Sequence, residues 1–141
     1  MRSILAALTL ALAVAIAPSA LRAETKGDAE NLKTVTVDQL AALRTAGKAT
    51  VVDANGADTR QKYGVIPGAL LLTHYGDYDV VKELPSDHAQ KLVFYCANER
   101  CMASHKAAHR AIDAGYSDVS VLPAGIMGWK DAGKPTDSSG T

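Results

Sequence analysis

Two cysteines, Cys96 and Cys101, are the residues of this chain whose type and position best suit covalent chemistry. Cys96 directly follows the apolar run Leu92–Tyr95, which is typical of a strand buried on both faces, and a helical pattern begins shortly after Cys101. A thiol between a strand end and a helix start lies near unpaired N–H groups and the positive end of the helix dipole, and both favour an anion. The position therefore predicts a pKa for Cys96 below the ~8.5 of a free cysteine, and a role as nucleophile. The alternative is a small buried core residue, which is the usual role of a free cysteine.

The spacing of the two cysteines argues against a structural disulfide. They are the only cysteines of the chain and lie five residues apart. A disulfide between them would close too short a loop to join distant parts of the fold. We therefore expect their role to be chemical.

The two cysteines and two nearby histidines, His105 and His109, have spacings that could suggest a metal site, since zinc and copper bind thiolate and imidazole ligands. At about 100° per residue, however, the small apolar residues of this helix share one half of its surface, and both histidines lie on the charged half. The histidines are therefore expected to face solvent. We predict no metal site and no other cofactor.

Strand and helix patterns alternate along the rest of the chain. Strands are expected at residues 34–35, 49–53, 69–72, 92–95 and 119–122, and helices at 36–47, 58–63 and 79–84, after Ser86, between Cys101 and Gly115, and around Trp129. Apolar strands that alternate with helices imply a parallel sheet covered on both sides. Ligands of such sheets bind outside the carboxyl ends of the strands, where Cys96 and Asp53 are expected. Asp53 is interpreted as an anchor for backbone or arginine hydrogen bonds, with action on a substrate proton as the alternative.

Particular residue types mark several of these boundaries. Thr36 and Gln39 have the spacing of a capping box and predict the start of the first helix. Gly115 is expected to adopt the left-handed conformation that ends the central helix. Pro67 and Gly68 form a strong turn dipeptide before the third strand.

The first 23 residues are predicted to be a secretory signal peptide. Arg2 gives a short basic start, residues 4–17 are almost entirely apolar, and the small residues that follow suit cleavage after Ala20 or Ala23. The apolar run is shorter than the ~20 residues of a membrane span, so a retained N-terminal anchor is only the alternative. We expect a periplasmic or secreted protein without membrane association after cleavage.

The mature chain is expected to form one domain over residues 34–132. A loosely ordered segment, residues 24–33, would precede it, and a flexible tail rich in Gly, Ser and Thr, residues 133–141, would follow. The whole chain carries 15 basic and 15 acidic residues, and loss of the signal peptide would make it slightly acidic. Because it has neither basic runs nor aromatic platforms, nucleic acid is not an expected partner.

Five short motifs together resemble the rhodanese-homology family, over almost all of the mature chain. In chain order they are Val51-Val52-Asp53 at a strand end, the turn from Gly64 to Ala69, Tyr95-Cys96 at the start of the loop, Gly115-Tyr116 after the helix, and Gly125, Ile126 and Trp129 near the end. Each motif is weak alone, but their order and separation are specific together. The resemblance implies an α/β fold of the rhodanese-like three-layer type, with a central, mostly parallel sheet and helices on both faces.

The resemblance also implies a sulfurtransferase in which the loop cysteine, here Cys96, alternates between thiolate and persulfide. The implied partners are a small-molecule sulfur donor (thiosulfate, a polysulfide or a persulfide) and a thiol or cyanide acceptor, and the protein is expected to act as a monomer. Cys96 is the implied catalytic residue and Asp53 a structural residue beside the site. The implied substrate-binding residues are Ala97, Asn98, Glu99, Arg100, Cys101 and Met102. Inward-pointing amides of a tight loop would stabilise the thiolate or the terminal persulfide sulfur.

Under this resemblance two roles remain open for Cys101. If the two sulfurs approach each other, Cys101 could act as a resolving thiol that attacks a Cys96 persulfide and expels hydrosulfide. The disulfide left behind would then be reopened by a reductant or a redox partner protein. Otherwise Cys101 occupies the start of the helix, points inward and stays a free thiol.

Three positions depart from the family pattern. Cys101 stands where the family loop usually has an arginine, and Arg100 comes one residue early. Asn55 replaces an arginine common two residues after the strand-end acid, and Val65 replaces a histidine common in the Pro-Gly turn. Because the loop arginine helps to hold an anionic donor, we expect reduced activity with thiosulfate unless Arg100 substitutes for it.

Two other functions fit parts of the sequence. A phosphatase of the same fold would need a wider loop and an arginine fork after the cysteine, and the short loop with Cys101 argues against it. A non-catalytic sulfur carrier or redox-sensing module would use Cys96 and Cys101 as a dithiol. Loading of the mature protein with sulfur from thiosulfate distinguishes these functions.

Overall fold

The structure is a computed structural model that describes residues 32–138. The predicted signal peptide lies outside the described residues, as do residues 24–31 of the segment that follows it and the last three residues of the chain. The described elements, in chain order, are β1 Lys33–Thr34, α1 Val37–Thr45, β2 Thr50–Asp53, α2 Ala57–Tyr63, β3 Leu70–Leu71, α3 Val80–Glu83, β4 Leu92–Tyr95, α4 Ala103–Asp113, β5 Val119–Leu122 and α5 Gly125–Asp131.

All five strands run parallel in one sheet, in the order β1-β5-β4-β2-β3. The central strands β2 and β4 pair so that Asp53 lies opposite Tyr95, and Tyr95 in turn lies opposite Leu122 of β5. The carboxyl ends of three strands therefore meet at one edge of the sheet. This is the edge from which the cysteine loop emerges.

The sheet separates two hydrophobic cores, because successive residues of each buried strand point to opposite faces. On one face Phe94 packs with the small residues of α4, including Ala107 and Ala111. On the other face Tyr95 packs with Leu40 of α1 and Trp129 of α5. The predicted α/β three-layer fold is confirmed, with a sheet that is entirely parallel.

The structure confirms the predicted capping box of α1 and the predicted glycine after α4. The Thr36 hydroxyl accepts a hydrogen bond from the backbone N–H of Gln39, and the Gln39 side chain accepts one from the backbone N–H of Thr36. The helix α4 is followed by Gly115 at φ +97°. These two features position the helices that flank the central strands.

Two predicted elements differ from the structure. The third strand contains only two residues and its side chains are exposed, because β3 is an edge strand that pairs with β2 alone. No helix follows Ser86. The Asp87 carboxylate there accepts a hydrogen bond from the backbone N–H of Ala89, and this local bond closes a turn in place of a helical one.

The tail predicted to be flexible from residue 133 is held to the domain over residues 133–138. The backbone of Asp137 exchanges two hydrogen bonds with Val65, each 2.9 Å long. The indole N–H of Trp129 donates to the carbonyl of Pro135 at 2.8 Å. The tail is ordered because it satisfies the buried indole and a backbone edge, which its composition does not reveal.

No helix within residues 32–138 is long and apolar enough to cross a membrane.

Candidate active site

The cysteine loop comprises residues 96–102 and joins β4 to α4. Asn98 shapes its turn: its carbonyl accepts a hydrogen bond from the backbone N–H of Cys101, and its side-chain oxygen accepts one from the backbone N–H of Arg100, each at 3.0 Å. The start of α5 holds the other end of the loop. The N–H of Ile126 donates to the carbonyl of Cys96 at 2.9 Å, and the next N–H along the helix donates to the carbonyl of Ala97 at 3.0 Å.

Gly125 allows this close approach of α5 to the loop. Its φ of +62° lies in the left-handed region, which favours glycine. A Cβ atom at this position would lie 2.5 Å from the carbonyl oxygen of Ala97 and 2.6 Å from that of Cys96. The loop backbone is therefore packed directly on the α5 backbone.

The Cys96 sulfur lies at the bottom of the loop and is almost fully buried, with 1% of the residue exposed. Its thiol donates to the carbonyl oxygen of Cys101 at 3.0 Å, and the Ser104 hydroxyl lies 3.3 Å away. Burial raises the pKa of Cys96 to about 11, the Cys101 side chain raises it further, and the hydroxyl and backbone N–H of Ser104 lower it. This direction is opposite to the one expected from the position of Cys96 in the chain, because burial of the thiol outweighs the donors available to its thiolate.

Cys101 has the opposite electrostatic environment. Partial burial raises the pKa of its thiol, but the nearby Cys96 side chain and the backbone N–H groups of Ala97 and Ala103 outweigh burial and lower the pKa. Cys101 is also more exposed than Cys96. The backbone N–H groups that the sequence suggested would favour a charged Cys96 thus favour the charged form of the second cysteine of the loop.

A buried polar network lies directly below the loop. The Asp53 carboxylate accepts hydrogen bonds from the Tyr95 hydroxyl at 2.5 Å and from the backbone N–H of Asn55 at 2.7 Å. The Tyr95 hydroxyl also accepts the backbone N–H of Ile66 at 3.0 Å. The Arg60 guanidinium approaches Asp53 to 3.5 Å and donates to the carbonyl of that residue. Burial raises the pKa of Asp53, and its hydrogen bonds and Arg60 only partly oppose this.

The remaining loop side chains differ in exposure. Glu99, Arg100 and Met102 are exposed, whereas Ala97 and Asn98 are half-buried. Arg100 lines a groove of about 390 Å³ between the loop and α5, and Cys96 does not line that groove. The structure thus brings Cys96 and Cys101 together and leaves Arg100 on the outer side of the loop.

The histidines of α4 lie beside the loop without forming a metal-binding cluster. The Nδ1 atom of His105 is 3.5 Å from the Ser104 hydroxyl. Within the part of the chain that the structure describes, no group of three or more His, Cys, Asp or Glu side chains could hold a metal ion.

A family model for the rhodanese-like domain matches residues 36–132. The chain belongs to the rhodanese-like domain family. This confirms the resemblance inferred from the five motifs, and the matched range includes the cysteine loop, the Asp53 network and all helices that pack on the sheet.

Solved structures of similar proteins share this rhodanese-like fold. A protein of unknown function from Rhodopseudomonas palustris, described as a possible tyrosine phosphatase, is 27% identical over 79% of this chain and 89% of its own length, with a TM-score of 0.62. A thiosulfate sulfurtransferase from Pseudomonas aeruginosa is 26% identical over 78% of this chain and only 21% of its own length, with a TM-score of 0.65. The human single-domain sulfurtransferase TSTD1 is 21% identical over 72% of this chain and 97% of its own, with a TM-score of 0.58, which shows the common fold alone. No curated protein matches the chain.

Two side chains of this rhodanese-like site were not identified as site residues from the sequence. Ser104 lies beside the Cys96 sulfur, with its hydroxyl 3.3 Å away. Arg60 of α2, seven residues after Asp53 in the chain, places a positive charge beside the Asp53 carboxylate. It does so although Asn55 stands at the position where the family pattern commonly has an arginine. The position of Ser104 on the same half of α4 as the small apolar residues could have identified it, and the interpretation of Asp53 as an acceptor of backbone or arginine hydrogen bonds could have identified Arg60.

Proposed function

We propose that this rhodanese-like domain is a sulfurtransferase that moves a sulfane sulfur through a persulfide on Cys96. The donor would be thiosulfate, a polysulfide or a persulfide, and the acceptor a thiol or cyanide. The observation that carries the proposal is the position of Cys96: a buried thiol at the carboxyl end of a central parallel strand, in a loop whose backbone is held by α5. This is also the position of the loop cysteine in the family pattern.

The proposed chemistry is a displacement at sulfur. The Cys96 sulfur attacks the outer sulfur of the donor, the donor's remaining group leaves (sulfite in the case of thiosulfate), and the acceptor later takes the outer sulfur from Cys96. Ser104 would stabilise the sulfur as it loses its proton, because its hydroxyl and backbone N–H both lower the pKa of Cys96. Since Arg100 lies on the outer side of the loop, we expect weak binding of anionic donors.

A second candidate is a non-catalytic sulfur carrier or a redox-sensing dithiol. The observation that favours it is the presence of two free thiols in one short loop. Such a module would accept sulfur or become oxidised, but it would not pass sulfur repeatedly to an acceptor. Multiple turnovers with cyanide as acceptor would therefore support the sulfurtransferase.

The first experiment treats the reduced protein with thiosulfate or benzenethiosulfonate and follows intact mass and the release of sulfite or benzenesulfinate. Trypsin cleavage after Arg100 separates residues 92–100, which contain Cys96, from residues 101–106, which contain Cys101. We expect one added sulfur atom on the first peptide of the Cys101→Ser variant and none in Cys96→Ser. The matched control is Ser86→Ala, an exposed change near the opposite end of β4, which should load sulfur like the wild type.

Sulfur found on residues 101–106 of Cys96→Ser would contradict the assignment of Cys96. Failure of both donors to load any variant would contradict the sulfurtransferase itself. We also propose that the protein acts in the periplasm or outside the cell, as the predicted signal peptide indicates, on small-molecule substrates.

A further inference from the structure

We propose that Cys101 is a second catalytic residue, which takes the proton of Cys96 as sulfur is loaded and then attacks the Cys96 persulfide. The site would thereby reduce a sulfane sulfur to hydrosulfide and finish as a Cys96–Cys101 disulfide. This inference rests on the proposed function, because it needs a persulfide on Cys96. It adds a distinct activity, the release of hydrosulfide without an external acceptor.

The two cysteines are in direct contact within the loop. The turn closed by Asn98 folds the loop back, so that the Cys101 backbone lies over the Cys96 sulfur. The distance from that sulfur to the Cys101 carbonyl oxygen is 3.0 Å. A carbonyl oxygen accepts hydrogen bonds and repels an anion, so this contact requires Cys96 to carry its proton.

The surroundings of Cys101, in contrast, favour negative charge. The backbone N–H groups of Ala97 and Ala103 and the Cys96 side chain all lower the pKa of Cys101, and together they outweigh its partial burial. Oriented backbone amides of this kind form an anion-binding nest. The half-buried Cys101 is therefore the thiol of the pair that loses its proton more easily, and the buried Cys96 is the one that retains it.

Among the described residues that surround the Cys96 sulfur, none is a better placed base than Cys101. The Ser104 hydroxyl is the other side chain in contact with the sulfur, and His105 lies 3.5 Å beyond that hydroxyl. This last distance exceeds the 2.7–3.2 Å of a normal hydrogen bond to nitrogen. Asp53 is held by the Tyr95 hydroxyl below the loop, and the side chains of Glu99 and Arg100 are exposed at its tip.

These positions define two balanced steps. In the first, the Cys101 thiolate accepts the proton of Cys96 while the Cys96 sulfur attacks the outer sulfur of thiosulfate, which releases sulfite and leaves a persulfide anion on Cys96. In the second, the Cys101 sulfur attacks the Cys96 sulfur, the bond to the outer sulfur breaks, and that sulfur leaves with the Cys101 proton as hydrosulfide. The outer sulfur gains the two electrons that the two cysteines lose. A thiol reductant must reopen the disulfide before another turnover.

The test is a single turnover of the reduced full-length mature protein with thiosulfate or benzenethiosulfonate and no acceptor. We expect the wild type to release one hydrosulfide for each sulfite or benzenesulfinate and to lose both free thiols. Its tryptic digest should contain residues 92–100 joined to residues 101–106 by a disulfide. Cys101→Ser should release the first product at least tenfold more slowly, release no hydrosulfide, and keep the sulfur on Cys96. The matched control His105→Gln should form both products like the wild type.

The outcomes separate the inference from the proposed function. If neither the wild type nor Cys101→Ser takes up sulfur, the sulfurtransferase proposal fails. If both take up sulfur but the wild type keeps a persulfide and a free Cys101 thiol, the inference fails and the sulfurtransferase stands. Slow release of sulfite or benzenesulfinate by His105→Gln, together with a wild-type rate in Cys101→Ser, would assign the base to the histidine and overturn the role of Cys101. The wild-type thiol count decides the second step even if a variant does not fold.

Discussion

At the scale of single residues, Tyr95 connects the cysteine loop to the rest of the domain. Its hydroxyl donates to the buried Asp53 carboxylate and accepts the backbone N–H of Ile66. It immediately precedes Cys96 in the chain, so the same side chain that satisfies two buried polar groups also fixes the point where the loop begins. Burial and the negative charge of Asp53 both raise the pKa of Tyr95, which keeps the hydroxyl a donor.

We predict that Tyr95→Phe lowers the free energy of unfolding by about 3 kcal/mol, because it removes the hydrogen-bond partner of one oxygen of the buried Asp53 carboxylate and of the buried Ile66 N–H. Urea denaturation would measure the change. Tyr116→Phe is the matched control: its hydroxyl makes one hydrogen bond, to the carbonyl of Pro85, and we expect a loss of about 1 kcal/mol. Equal losses in the two variants would show that the network around Asp53 does not stabilise the fold as described.

The proposed role of Cys101 also predicts a specific pH dependence. The lowered pKa of Cys101 means that the pair loses its first proton at a lower pH than an ordinary thiol does. The rate of sulfur loading should rise with pH and level off once this proton is lost. In Cys101→Ser, Cys96 must lose its own proton, whose pKa burial raises, so the midpoint should move to a more alkaline pH than that of an ordinary thiol.

Sulfite release measured from neutral to alkaline pH would provide both midpoints. Ser86→Ala serves again as the control that should follow the wild-type profile. An unchanged midpoint in Cys101→Ser would contradict proton transfer from Cys96 to Cys101.

At the scale of secondary-structure elements, α5 does more than cover the sheet. Its first N–H groups bind the carbonyls of Cys96 and Ala97, and its Gly125 lets the two backbones touch. Trp129 of the same helix is buried in the core that Tyr95 also joins. The loop geometry therefore depends on the position of a helix that lies far along the chain.

We predict that Gly125→Ala displaces the cysteine loop and reduces sulfur transfer by about 100-fold, the order of loss expected from a misplacement of about 1 Å. The reason is the 2.5 Å approach that a Cβ atom would make to Ala97. Gly133→Ala is the matched control, since Gly133 also has a positive φ, +70°, but a Cβ atom there would have no other atom within 4 Å. It should lose about 1–2 kcal/mol of stability from strain and keep its activity. Similar activities of the two variants would contradict the role of the α5 contact.

At the scale of the whole molecule, the site lies where the chain leaves two neighbouring strands toward opposite faces of the sheet. The segment after β2 forms α2, whose Tyr63 packs on one core, and the segment after β4 forms α4, which packs on the other. A crevice at such a switch point is the usual ligand site of an open parallel sheet. This topology explains why Asp53 and Cys96, far apart in sequence, belong to one site.

The predicted export of the whole protein is tested by its N-terminus. N-terminal sequencing of the protein purified from its native host should begin at Glu24 or Leu21, because the preceding apolar segment and small residues suit removal by a signal peptidase. A Met1 terminus on protein recovered from the cytoplasm would contradict export. A variant with a charged residue in place of Leu10 should accumulate with its N-terminal segment uncleaved.

The sequence by itself determined the fold and the place of the site. The buried strands are continuous apolar runs, the capping box of α1 uses residues three positions apart, and Gly115 ends α4 by its own backbone freedom. These signals are local, so each can be read without knowledge of the rest of the chain. Because parallel strands bring their carboxyl ends to one edge, the same signals place Cys96 and Asp53 together.

Only the tertiary structure decided the electrostatics inside the loop. Which of the two thiols has the lowered pKa depends on the conformation of residues 97–101, and that conformation depends on hydrogen bonds from α5 more than twenty residues away. The approach of Arg60 to Asp53 and of the tail to Val65 likewise arises from packing between separate segments. Side-chain direction in a tight loop is set by such long-range contacts, and residue types and spacing carry no direct record of them.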